Sequence, residues 1–191
     1  MFNEEGDFMK IPNIKILDEK EKILHQKCEE AKFPLKDDEK KLINDALLYL
    51  KDSQIEEIRD KYNLRAGMGL AFPQLGIKKR IFVICEDLEN GEFKNYIVVN
   101  PKIISHSEEL IYVEEGEGCL SINREVEGIV PRYARMKVSA FDENGNEYEI
   151  RVREDISIAF QHEIDHLDGI LFPDKIDPKN PYKNIEKMRG I

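Results

Sequence analysis

Ile156-Ser157-Ile158-Ala159-Phe160-Gln161-His162-Glu163-Ile164-Asp165-His166-Leu167 is apolar on most of its faces when wound as an α-helix, and Gly169 follows as a stop. A helix apolar nearly all round belongs inside a protein. Such a helix needs cover, and the residues before it read as strands. Arg80–Cys85 and Asn95–Val99 are short apolar runs rich in β-branched residues, joined across Glu89-Asn90-Gly91. Met136–Phe141 and Tyr148–Val152 make a second hairpin around Asp142–Asn146, where Asn144-Gly145 suits a tight turn. Hairpins without alternating βαβ units predict an α+β fold: antiparallel β-sheets around a buried central helix.

Further out, the chain before Ala66 is helical in texture. Asp37-Asp38 are placed to cap a helix carrying Leu42, Ile43, Ala46, Leu47 and Leu50. Asp52-Ser53 are placed to cap a second, with Ile55, Ile58 and Tyr62 on one face. These are the N-terminal helices of the expected fold. Residues 1–36 are acidic and lysine-rich, and are expected to wrap the surface and order only by docking. At the other end, Pro173, Pro178 and Pro181 predict a largely irregular tail before a short basic end. A chain of 191 residues suffices for one domain with a substantial core, so residues 1–191 are read as a single domain.

A formal net charge of −10 argues against a surface that tracks phosphates and against binding to anionic membrane. The local basic stretches, Lys78-Lys79-Arg80 and Arg132–Arg135, read as a solvated turn and a strand edge. No stretch approaches a membrane span, and the acidic start lacks the features of a secretory signal, so a cytoplasmic protein is expected. The three cysteines, Cys28, Cys85 and Cys119, argue against a disulfide framework. Cys28 lies on a polar helical stretch and Cys85 in a strand, and both read as ordinary buried thiols.

His162 and His166 are four apart and project from one helical face, with Glu163 beside them. In this H-E-x-x-H arrangement two imidazoles bind one metal ion and a carboxylate handles the proton of the attacking water. The competing reading is a pair of satisfied core histidines with Glu163 and Asp165 facing solvent. Burying imidazoles and carboxylates without partners is costly, and a metal removes most of that cost. A catalytic site usually takes three protein ligands and leaves one position open, so a cysteine, carboxylate or further histidine is required. Glu117-Gly118-Cys119-Leu120-Ser121 offers Cys119 among small and turn-compatible neighbours, although a lone cysteine is more often a small core residue. Gly67-Met68-Gly69-Leu70-Ala71-Phe72-Pro73-Gln74 lacks the third glycine and the Gly-Lys-Ser of phosphate loops. It reads either as a plain glycine turn or as extended backbone passing close to a ligand, with the Gln74 amide where charge develops on a carbonyl oxygen.

Together these segments resemble the peptide deformylase family, whose motifs Gly-x-Gly-Leu-Ala-x-Pro-Gln, Glu-Gly-Cys-Leu-Ser and His-Glu-x-x-Asp-His stand in order at Gly67–Gln74, Glu117–Ser121 and His162–His166. The long segment after Cys119 and the non-helical tail look like the longer-insert class of Gram-positive bacteria. Phe72 departs from the commoner alanine and bears on packing behind the loop. The resemblance implies a cytoplasmic hydrolase that removes the formyl group from formyl-methionine at the N-termini of nascent peptides, meeting the ribosome at most transiently. It implies Cys119, His162 and His166 as ligands of one divalent metal, iron(II), for which nickel, cobalt or zinc can substitute. Glu163 would move protons, and the Gln74 amide and Leu120 N–H would hold the oxyanion. Met68 and Gly69, with Ile158 and Ala159, would line the methionine pocket, and Met68, Gly69 and Gly118 would pair with the peptide backbone. Asp165 reads either as a surface carboxylate or as the partner of an arginine such as Arg132. The alternatives are another H-E-x-x-H metallohydrolase, such as a zinc endopeptidase, and an inactive metal-binding relative.

Overall fold

A computed structural model describes residue 12 and residues 14–191. The helices are α1 (Asp37–Gln54), α2 (Glu56–Tyr62) and α3 (Glu154–Leu167). The strands are β1 (Gly69–Ala71), β2 (Ile81–Asp87), β3 (Phe93–His106), β4 (Leu110–Tyr112), β5 (Arg132–Tyr133), β6 (Arg135–Phe141), β7 (Glu147–Arg153) and β8 (Arg189–Gly190). A five-stranded antiparallel sheet runs β1-β2-β3-β6-β7, with Ile81 opposite Val99 and Arg135 opposite Arg153. A smaller sheet runs β5-β4-β8, in which β8 lies parallel to β4.

Strand β2 explains the architecture. Its residues alternate between two cores, Phe82 and Ile84 facing α3 and Ile81, Val83 and Cys85 facing α1. A strand covered on both faces has no reason to alternate apolar with polar, hence its continuous apolar run. On the α3 side, Phe160 is fully buried and meets Phe82 and Tyr96 edge-on at 5.2 and 5.6 Å. Truncating such a ring to alanine typically costs about 3–5 kcal/mol. On the other side Ile43, Ala46 and Leu50 of α1 cover the sheet.

Several local expectations are corrected. Helix α1 runs on through Asp52 and Ser53 instead of ending before them. Ser53 Oγ donates to the Leu50 carbonyl at 2.8 Å, so its hydroxyl is satisfied within the helix and caps nothing. The start of α1 is held by Glu39, which accepts the Lys36 N–H at 2.8 Å, while Asp37 and Asp38 lie inside the first turn. Helix α2 begins at Glu56 and has no fully buried residue; Ile55 and Ile58 are half-buried and Tyr62 is exposed, so the apolar stripe docks only in part. Cys28 is not helical; its N–H donates to the Leu167 carbonyl at 2.8 Å, which draws this segment onto the end of α3. Arg132 is not on a solvated edge but 0% exposed. The tail is irregular apart from two short 3-10 turns and β8. The N-terminal segment expected to wrap the surface lies partly outside the described residues. Within them, Leu24 is buried against Cys119, Ile122 and Leu171.

Candidate metal centre

Helix α3 runs past the short edge strand β1 and the loop between β4 and β5. From the helix come His162, Glu163 and His166, from the loop Glu117 to Ser121, and from β1 and the 3-10 turn after it Gly69 and Gln74. The donor atoms of Cys119, His162 and His166 lie within 4.8 Å of one another. Cys119 Sγ is 3.3 Å from His166 Nε2, and the Ser121 N–H points at the same sulfur from 3.4 Å.

Behind this set stands a buried charge network. His162 Nδ1 lies 2.9 Å from Glu117 Oε2, which leaves Nε2 free for the cluster. Glu117 accepts two hydrogen bonds from Arg132, at 2.7 and 2.9 Å, a bidentate pairing. Arg132 Nη1 donates to Asp165 at 2.5 Å, and Lys175 reaches the same carboxylate at 3.0 Å. Asp165 is therefore the partner of a buried arginine, not a surface carboxylate. Burial alone would push the Glu117 carboxyl up, but the hydrogen bonds from Arg132 and His162 outweigh it and hold it at about 2.

Glu163 is 4% exposed, which excludes the solvent-facing reading. Burial, only partly offset by His162 and Arg132, raises its carboxyl to about 7. Its Oε2 and His166 Nδ1 are buried without a hydrogen-bond partner among the described residues. Buried polar atoms left unpaired are costly. Burial and the neighbouring His162 also hold His166 well below the usual histidine range, so it is neutral and suited to bind a cation. One thiol and two imidazoles converging beside unpaired polar atoms fit a divalent transition-metal ion, and this donor set alone does not select among zinc, iron and nickel.

Gln74 is buried, and its orientation is fixed: Oε1 accepts the Ala71 N–H at 2.8 Å while Nε2 donates to Ser121 Oγ at 3.1 Å and faces Cys119 Sγ at 3.6 Å. The glycines of the first motif are explained by close approach. A Cβ on Gly69 would collide with the Glu163 carboxylate, and one on Gly67 would lie 2.6 Å from the Leu120 side chain. A cleft of about 390 Å³ opens over these groups, with Met68, Gly69, Gly118, Ile158 and Ala159 in its walls and His162 and Glu163 facing it. Every site residue expected from sequence lines this cleft except His166, which is buried with its Nε2 3.3 Å from Cys119 Sγ. Sequence reasoning missed Glu117 as the anchor of His162 and Ser121 as the anchor of Gln74. Their adjacency to Cys119 in the chain was the available signal.

Three converging metal-ligand candidates, a buried carboxylate beside them and a fixed amide donor fit a metal-dependent hydrolase. A sequence description of the polypeptide deformylase family matches residues 13–182. Peptide deformylase of Shouchella clausii is 48% identical over 162 residues, covering 84% of this chain and 88% of that one. Peptide deformylase 2 of Bacillus subtilis is 43% identical over 168 residues, covering 88% and 91%. Among solved structures, the peptide deformylase of Thermotoga maritima superposes with a TM-score of 0.67 at 31% identity, covering 86% of this chain and 98% of that one. A plant peptide deformylase superposes with a TM-score of 0.72 at 29% identity, covering 91% and 85%. The chain belongs to the peptide deformylase family, metal-dependent hydrolases that remove the N-formyl group from nascent polypeptides.

Proposed function

We propose that this chain hydrolyses the formyl amide of formyl-methionine at nascent N-termini through the residues of this cleft. The convergence of Cys119, His162 and His166 beside the buried Glu163 carries the proposal. Cys119, His162 and His166 hold one divalent ion, iron(II) by family resemblance, with nickel, cobalt or zinc able to replace it. When bound, the ion polarises the formyl carbonyl and makes water a nucleophile near neutral pH.

The protein's own groups do the rest. Glu163 takes the proton of the attacking water and passes it to the departing amine, a task suited to a carboxyl raised towards neutrality. The Gln74 amide and the Leu120 N–H hold the developing oxyanion, and loss of one such donor typically costs about 3–4 kcal/mol. Met68, Gly69, Ile158 and Ala159 supply an apolar wall for the methionine side chain. Strand β1 lies at the edge of its sheet, and Met68, Gly69 and Gly118 can pair with the peptide as an added strand.

The whole chain acts as one catalytic domain, in the cytoplasm, on peptides met at the ribosome, without binding nucleic acid or membrane. A net charge of −10 supports this reading, and no helix among the described residues is long and apolar enough to cross a membrane.

The test is formate release from a formyl-Met tripeptide by anaerobically purified, iron-loaded protein, beside acetyl-Met and internal-peptide controls. Release abolished by Glu163→Ala and Cys119→Ala is the expected result. No release with iron, nickel or cobalt, despite bound metal, would refute the proposal, and cleavage of the internal peptide would favour an endopeptidase.

A further inference from the structure

One arginine outside the catalytic set is tied to the site more tightly than its surface position requires. Arg65 follows α2 and lies at the edge of the cleft. Its guanidinium donates to the carbonyls of Leu120 at 2.9 Å, Cys119 at 3.0 Å and Ile122 at 3.0 Å, and to the Asn123 side chain. The backbone on which it stands is itself fixed. Its carbonyl accepts from Tyr49 of α1 at 3.3 Å, and the next residue but one, Gly67, donates its N–H to Ser53 of α1 at 3.2 Å. A rigid helix is therefore connected through one guanidinium to the loop of Cys119 and Leu120.

The chemical consequence lies in the Cys119–Leu120 peptide group. A trans peptide is planar, so its C=O and N–H point in opposite directions. The Cys119 carbonyl receives Arg65 Nη2 and also the Ile122 N–H at 3.1 Å. The Leu120 N–H, in the same plane and pointing the opposite way, has no acceptor among the described residues. Fixing the carbonyl fixes the direction of this free N–H, and a cation hydrogen-bonded to the carbonyl polarises the peptide so that the N–H donates more strongly. Four of the five N–H groups of the guanidinium are needed for these contacts, which leaves it poorly equipped to grip the substrate itself.

We infer that Arg65 is a positioning residue for the reaction, aiming and polarising the Leu120 N–H towards the oxyanion. This inference rests on the proposed role of Leu120. A lysine could replace the charge but not the fork, because an ammonium is a single point with no planar pair of nitrogens to reach three carbonyls at once.

The test compares wild type, Arg65→Lys and Arg65→Ala, each loaded with metal and assayed on formyl-Met and thioformyl-Met tripeptides. Metal content and amide exchange of residues 119–123 in the metal-free protein are measured alongside. Arg65→Ala should lower kcat on the formyl substrate by at least about tenfold, part of the roughly 10²–10³-fold lost when such a donor is removed outright. KM should stay within about twofold, because the contact strengthens only in the transition state. The loss should be smaller on the thioformyl substrate, whose sulfur accepts hydrogen bonds weakly. Arg65→Lys should fall between, metal content should stay at the wild-type level, and exchange at residues 119–123 should quicken. An unchanged kcat at full metal content would overturn the inference. So would an equal loss on both substrates, or a loss cured by excess metal, since either marks general damage or weakened metal binding. A wild-type protein that releases no formate at all would instead refute the functional reading, and this inference with it.

Discussion

Replacing Glu117 by glutamine should weaken the fold and the metal site together. In the wild type this carboxylate accepts from Arg132 and from His162 Nδ1. Its folded pKa lies below its ordinary value, so it adds stability that is fully present above pH 4.5 and is lost as pH falls towards about 2. The fall from 4.5 to about 2 corresponds to about 3 kcal/mol at roughly 1.4 kcal/mol per pH unit. Breaking one side of a buried ion pair costs a similar amount, about 3–5 kcal/mol. Glutamine has one acceptor oxygen to divide between Arg132 and His162. If that oxygen serves Arg132, the NH2 group meets the His162 Nδ1–H donor to donor. The imidazole must then carry its proton on Nε2, where a metal ion would bind. Denaturant unfolding of the metal-free proteins should show Glu117→Gln less stable by about 3 kcal/mol at pH 7, with the gap closing between pH 4.5 and 2. Chelator competition should show metal held about 10–100-fold more weakly. A gap that does not change with pH, or wild-type metal affinity at full occupancy, would refute this reasoning.

Three further outcomes can be checked. Glu163→Gln should lower kcat by roughly 10²–10⁴-fold while metal remains bound. Burial holds the wild-type carboxyl at about 7 in the metal-free protein, and a divalent charge beside it favours the carboxylate. The acid limb of kcat/KM in the loaded enzyme should therefore lie below pH 7, and a limb above 7 would count against Glu163 as the base. Gly69→Ala places a methyl group against the Glu163 carboxylate and should cost about 10²-fold in kcat/KM with the circular dichroism spectrum unchanged; near-normal activity would show that the carboxylate can step aside. Asp52, buried on α1, has a carboxyl raised by burial, so its ionised form opposes folding at neutral pH, and this opposition fades as pH falls through the folded pKa. Asp52→Asn should raise the thermal midpoint at pH 7 and lose that advantage in acid; a lower midpoint at pH 7 would contradict the assignment.

The parts of the fold that were legible in sequence are those whose signal is local. An all-round apolar helix has only the interior to go to, and Asn144-Gly145 between two β-branched runs turns where its backbone allows. The two histidines share a face because four residues make about one turn. What was not legible depends on partners far along the chain. Arg132 read as part of a solvated strand edge and, alternatively, as the partner of Asp165; its second counter-charge, Glu117, 15 residues away, gave no signal. Arg65 gave no signal because the carbonyls it holds are backbone groups more than 50 residues on, which any sequence would supply. Asp52-Ser53 misled because the residue types that cap a helix can also be satisfied within one, as the Ser53 hydroxyl is.

Charge neutrality links the network to the metal. Behind the ligands, Arg132 and Lys175 carry two positive charges against the two negative charges of Glu117 and Asp165, so that layer balances itself. In front of it stand Glu163 and Cys119, two negative charges once both are ionised, with no cation of the network left over for them. Ionised groups in so buried a place are costly unless matched. Burial would lower His162, but its contacts with Cys119 and Glu117 raise it to about 10, and burial raises Glu163 to about 7, so both groups favour their protonated forms in this setting. A single divalent cation would balance a thiolate and a carboxylate together, release those protons and give the unpaired Glu163 oxygen a positive neighbour. A monovalent ion would leave one negative charge buried. The electrostatics of this chain's own residues therefore argue for a +2 ion here, and for a Glu163 that is ionised and ready to accept a proton once that ion is bound.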